Sequence, residues 1–130
     1  MKNWSLCLGL ALALCGCGGD GVSGTWKGDL SGWAITAEVT QTTESAGTLY
    51  LSGTLSTNKP ACFNNGTLSG TFVNNSSLSF ISSASGSASS TTILKIDGEV
   101  SGETLTGYFE STSLSSECNV ERTAIKLTRQ

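Results

Sequence analysis

Apolar and polar residues alternate along most of this chain beyond residue 20. In Trp33-Ala-Ile-Thr-Ala-Glu-Val-Thr-Gln41, the residues Trp33, Ile35, Ala37 and Val39 fall on one face. Ala34, Thr36, Glu38 and Thr40 fall on the other. A period of two is that of a strand with one buried face. Helical spacing takes over nowhere in this region. Clusters of turn-forming residues punctuate the runs: Glu44 to Gly47, Asn58 to Pro60, Asn74 to Ser76, Ser82 to Ser90, Ser101 to Glu103 and Ser113 to Glu117. Strands are therefore predicted at about 24–31, 33–43, 48–56, 62–73, 77–82, 91–100, 104–112 and 119–128. The last is irregular, because Ile125 and Leu127 share one face while Val120 and Ala124 share the other, which calls for a bulge or a late start.

About eight short strands joined by tight turns, with no long crossover, predict an all-β fold: a small antiparallel up-and-down (meander) β-barrel. Its first strand should pair with its last, so that no edge is left to aggregate. The inward set should include Trp26, Ile35, Val39, Leu51, Leu68, Phe72, Leu78, Phe80, Leu94, Ile96, Leu105, Phe109 and Leu127. A pattern of apolar, any, Gly, any, apolar recurs at Val22–Trp26, Leu51–Leu55, Leu68–Phe72, Ile96–Val100 and Leu105–Phe109. Glycine weakens a strand, so repeated use at one phase implies tight coiling where a side chain would clash.

The first 20 residues follow a different rule. Lys2 precedes an apolar stretch of 11 residues, Trp4 to Leu14, which is too short for a spanning helix and fits the core of a signal peptide. It ends in Leu14-Cys15-Gly16-Cys17, which resembles the lipobox of bacterial lipoproteins. That resemblance implies cleavage after Gly16 and lipidation of Cys17; Cys15 fits less well, since Leu14 would occupy the small-residue pocket. Residues 1–16 are then a signal peptide, 17–23 the lipidated Cys and a Gly-rich tether, and 24–130 the barrel domain. Several acyl chains at about 0.8 kcal/mol per buried CH₂ would hold it stably on a membrane. In such lipoproteins an Asp directly after the Cys signals inner-membrane retention. Gly18 stands there instead, so the resemblance implies a cell-envelope location with the outer membrane favoured.

Cysteine chemistry follows from this address. Cys7 and Cys15 leave with the signal peptide and Cys17 is lipidated, so Cys62 and Cys118 remain as a pair in an oxidising compartment. A disulfide between them would close a loop of 56 residues. The chain-entropy model assigns such a loop about 4 kcal/mol as an upper guide.

The chain of 130 residues has room for one domain. Without Lys2 its seven basic residues fall to six against ten acidic, a net charge of −4. No basic cluster exists, which argues against nucleic acid as a partner. Gly24-Thr25-Trp26 resembles the Gly-X-Trp opening of lipocalin-like and avidin-like barrels, in which the Trp plugs one barrel end. The later Trp residues of an avidin biotin site have no counterparts, so the resemblance implies a fold and not biotin binding.

The sequence holds no His, which removes the commonest general base and the Ser-His-Asp and Cys-His arrangements. Two isolated Cys do not complete a zinc site, and no phosphate or Ca²⁺ loop spacing occurs. Neither a metal nor another cofactor is expected, and a non-enzymatic protein is. Asp97 and Glu99 lie opposite Ile96 and Val100, facing solvent. Asn65-Gly-Thr67 and Asn74-Asn-Ser76 match a glycosylation sequon that a bacterial lipoprotein does not normally use.

Two classes of function remain. One is a barrel that binds a protein, a glycan or a small apolar ligand, a periplasmic protease inhibitor being one version. The other is a purely structural envelope lipoprotein held on the membrane through Cys17. A lumen plugged by apolar side chains would favour protein interaction; a polar void would favour a ligand. The loop 56–66 has the most varied chemistry outside the strands, in Lys59, Phe63, Asn64 and Asn65. Phe63 is either an apolar anchor for a partner or a ring packed over the barrel end beside the disulfide, the commoner fate of a Phe.

Overall fold

The computed structural model describes residues 21–45, 47–74, 76–84 and 92–130. Eight antiparallel strands close into a barrel in strict sequence order. They are β1 (Gly24–Leu30), β2 (Trp33–Ser45), β3 (Thr48–Lys59), β4 (Phe63–Val73), β5 (Ser77–Ala84), β6 (Ile93–Ser101), β7 (Thr104–Thr112) and β8 (Val120–Arg129). A 3₁₀ turn at Ser116–Cys118 precedes β8. The seam between β1 and β8 is short, with Trp26 opposite Arg129 and Lys27 opposite Thr128. The expected bulge in the last strand is present: Phe109 faces Thr123 and Ser111 faces Val120, leaving Glu121 and Arg122 unmatched.

The strand period sorts the side chains as the alternation demands. All thirteen expected inward residues are buried, together with Trp33, Ala37, Leu55, Phe63 and Ile125, in one apolar core. Outward positions carry mainly Ser, Thr and charged residues, such as Ser52, Thr54, Ser69, Ser79, Lys95 and Lys126. A barrel that spans a bilayer needs the reverse pattern, apolar outside and polar within.

The recurring glycines have a structural cause. At Gly53, Gly70, Gly98 and Gly107 an added Cβ would meet the backbone of the neighbouring strand. Gly98 and Gly107 form one such place, facing each other across β6 and β7. A Cβ on either would lie 2.6 Å from the other's Cα. Tight coiling brings the two strands together there, and only glycine fits.

The meander sends its connections alternately to two ends. End A holds the turns β1–β2, β3–β4 and β7–β8, with Cys62 and Cys118. End B holds the turns β2–β3, β4–β5 and β6–β7, the residues 21–23 leading into β1, and Gln130. Residues 1–20, which hold the expected signal peptide 1–16, Cys17 and the start of the expected tether, lie outside the described residues. Gly21 to Ser23 behave differently from a free tether. Val22 is wholly buried, its N–H donates to Gln41 Oε1 at 2.8 Å, and its carbonyl accepts from Trp26 Nε1 at 2.9 Å. Residues 21–23 of the expected tether 17–23 are therefore part of the barrel's fastening, because burial of Val22 and its two hydrogen bonds tie them down.

Candidate functional site

End A is built from aromatic residues under a covalent strap. Trp33 opens β2 and Phe63 opens β4, so both point into the mouth of the barrel, where Phe63 is 0% exposed. The Trp33 ring meets Phe109 at 5.6 Å between centroids, tilted by 58°. A disulfide joins Cys62 to Cys118 above them, with Cα atoms 5.4 Å apart. The β3–β4 and β7–β8 turns it links lie on opposite sides of the closed strand order, so the bond crosses the mouth.

Buried hydroxyls near this end all have protein partners. Ser82 Oγ donates to the Thr67 carbonyl at 2.6 Å, and Ser111 Oγ donates to the Cys118 carbonyl at 2.6 Å. Thr92 Oγ1 donates to Ser113 Oγ at 2.9 Å. Their burial is offset by these bonds, so among the described residues these buried hydroxyls are already satisfied by the protein.

The four residues of the expected interaction loop separate into two groups. Phe63 is part of the core and offers no accessible ring, so of its two readings the ring packed over the barrel end holds and the anchor for a partner does not. The reason is its place as the first inward residue of β4, over the barrel mouth. Asn64 and Asn65 are exposed, and Lys59 is half-buried with Nζ 5.8 Å from the Trp33 ring centroid. The turn is stiff: Cys62 N–H donates to the Lys59 carbonyl at 2.9 Å, and Thr57 Oγ1 donates to the Phe63 carbonyl.

End A also exposes apolar residues that strand alternation did not single out. Leu114 is 87% exposed in the β7–β8 turn, and Ile93 opens β6 at 39%. Ile81 is exposed on the outer face of β5. Leu114 was detectable as the one large apolar residue inside the polar run Ser113 to Glu117.

The outer wall carries an ordered charge cluster on β6, β7 and β8. Arg122 donates to both carboxylate oxygens of Asp97 at 2.8 Å, and its guanidinium lies 4.5 Å from the Tyr108 ring centroid. The hydrogen bonds from Arg122 hold the Asp97 carboxyl below its ordinary pKa; burial opposes this, and the charges of Arg122 and Lys95 assist it. An exposed pair of this kind contributes little to stability. Beside it a shallow groove of about 280 Å³ runs over Thr71, Ser79, Asp97 and Glu99, open to solvent. Among the described residues no group of three His, Cys, Asp or Glu side chains is placed to hold a metal.

Fold and surfaces together define a closed, eight-stranded meander barrel with an apolar lumen, stapled at one end. No protein-family model, no curated protein and no solved structure matches this chain.

Proposed function

We propose that this chain is an envelope lipoprotein, anchored through Cys17, whose barrel is a non-catalytic interaction module that meets its partner at end A. The observation that carries this reading is the filled lumen. An eight-stranded barrel is just wide enough for side chains to pack inside it, and here they are Trp, Phe, Leu and Ile. A protein surface is then favoured over a small apolar ligand as the partner. End A carries the mixed chemistry a protein contact needs: exposed Leu114 and Ile93 at the same barrel end as Lys59, Asn64 and Asn65. Aliphatic and polar groups on turns, held by a rigid scaffold, are where binding residues concentrate.

Two measurements test the reading. Metabolic palmitate labelling and membrane fractionation of Cys17→Ser against wild type examine the anchor; the variant should lose both. Cross-linking in intact envelopes, comparing wild type with Leu114→Asp and Lys59→Ala, examines end A. Unchanged partner recovery by both folded variants would remove end A as the contact.

A further inference from the structure

The residues just before β1 are fastened to the barrel by side chains from three other elements. Arg129 on β8 donates through Nη1 to the carbonyls of Gly21 and Ser23, both at 3.1 Å. Its Nε reaches Glu103 at 2.9 Å, and its guanidinium lies 5.0 Å from the Trp26 ring centroid. Gln41 on β2 accepts from Val22 N–H, and its own N–H donates to Ser23 Oγ at 3.0 Å. Val22 itself is sealed against Trp26, with no exposed surface. Arg129 is the hub of this fastening. It is anchored by Glu103 and stacked over a buried indole, so its fork is already ordered where it receives the two carbonyls.

We infer that this fastening is a latch that sets the orientation of the barrel on the membrane, with end B against the lipid headgroups and the disulfide end directed away. The inference rests on the lipid anchor at Cys17 proposed above. Four residue steps separate Cys17 from Gly21 and span at most about 14 Å. Strands of seven to thirteen residues, about ten on average, at 3.3 Å each and tilted by about 40°, make the barrel roughly 25 Å tall. With the latch closed, the leash is too short to run along the wall and bring end A to the bilayer. With Gly21 to Ser23 released, the leash starts at Gly24 and reaches about 25 Å, enough for the barrel to tip over.

The rim at end B suits a headgroup surface. Its described turn residues Asn74, Gly102, Glu103 and Gln130 are polar or lack a side chain, so this end can rest at the headgroups without entering the acyl region. Tyr50 lies near this rim on the outer wall and is 49% exposed. An aromatic ring with a phenol is suited to the headgroup layer.

The test uses the full lipidated chain reconstituted into phosphatidylethanolamine/phosphatidylglycerol vesicles that contain a headgroup-nitroxide lipid. A fluorophore is placed through an unnatural amino acid at Ser101, on end B, or at Leu114, on end A. Quenching should be several-fold stronger at Ser101 than at Leu114. A Gly/Ser insert of about 12 residues between Gly18 and Asp20 adds roughly 20 Å of reach and leaves every latch residue in place. It should bring the two positions close to equal, and Arg129→Ala should move them in the same direction. Equal quenching in vesicle-bound wild type overturns the latch and leaves the anchor standing. Wild type that does not bind vesicles and takes no palmitate overturns the anchor and the orientation together.

Discussion

Replacing Gly107 by Ala tests the physical basis of the barrel most directly. A Cβ at that position would lie 1.9 Å from the Asp97 carbonyl oxygen and 2.6 Å from Gly98 Cα. Both obstacles are backbone, so no rotamer change relieves them. To reach ordinary contact, β6 and β7 must separate locally by about 1.5 Å, which stretches ladder bonds of about 2.9 Å beyond hydrogen-bonding range. Losing two such bonds at about 1 kcal/mol each, with a further 1–3 kcal/mol for overpacking, predicts a cost of about 3–5 kcal/mol. At roughly 4 °C per kcal/mol for a domain of this size, the melting temperature should fall by about 12–20 °C. Gly98→Ala should cost somewhat less, since its nearest obstacle, the Thr106 carbonyl oxygen, lies at 2.4 Å. Gly102→Ala is the control. It has open space around its Cβ position but a φ of +63°, so only the left-handed backbone is penalised, by about 1 kcal/mol. Urea unfolding followed by far-ultraviolet circular dichroism gives all three values. A loss below about 1 kcal/mol for Gly107→Ala would refute the claim that coiling demands glycine there.

Three further outcomes follow from other parts of the molecule. Intact-mass analysis after alkylation should find no free thiol at Cys62 or Cys118, and replacing both by Ser should cost up to about 4 kcal/mol; alkylation of both in the folded protein would contradict the strap. Phe63→Ala should cost about 3–5 kcal/mol because the ring is core, while Asn64→Ala should stay within about 0.5 kcal/mol, both read by thermal unfolding. Asp97 is held below its ordinary value of 3.8 in the folded state, so its ion pair with Arg122 stabilises above that value and is lost as pH falls through the lowered one. The difference in melting temperature between wild type and Asp97→Asn should therefore be present at pH 6 and shrink below pH 4; a difference that grows on acidification would reverse the assignment.

Strand positions and the inward set could be read from the sequence because a strand offers only two faces. Once Ile35 is inside, Trp33, Ala37 and Val39 must follow, and each is buried. The glycines were legible for a related reason: sharing the apolar phase, they could only lie where the wall closes in. What alternation did not convey was behaviour at the ends, where the period stops. Phe63 stands at the first position of β4, and nothing local distinguishes a ring covering the mouth from one reaching into solvent. The burial of Val22 depends on Gln41 and Arg129, which lie 19 and 107 positions away. A pattern read over a few neighbours carries no information about contacts of that range. The Arg122–Asp97 pair is a third case, because it spans two strand pairings across the outer wall.

The two closed ends also decide where chemistry of any kind can take place. Entry to the lumen at end A requires displacing Trp33 and Phe63 beneath a covalent bond. Entry at end B requires lifting Val22 and breaking the bonds from Arg129 and Gln41. In either case the visitor meets packed Leu, Ile and Phe side chains, and the cost of parting them resembles that of opening a protein core. Under the proposed function, a partner would therefore be met on the outer surface. The wall is a poor discriminator, since outward Ser and Thr recur on strand after strand and present similar hydroxyls in every direction. End A differs from the wall in kind. An aliphatic side chain at Leu114 in the β7–β8 turn, a cation at Lys59 closing β3 and amides at Asn64 and Asn65 near the start of β4 flank the two turns that the disulfide ties, so their spacing is held. Specific recognition needs unlike groups at fixed separations. Among the described residues, this is where the barrel offers them.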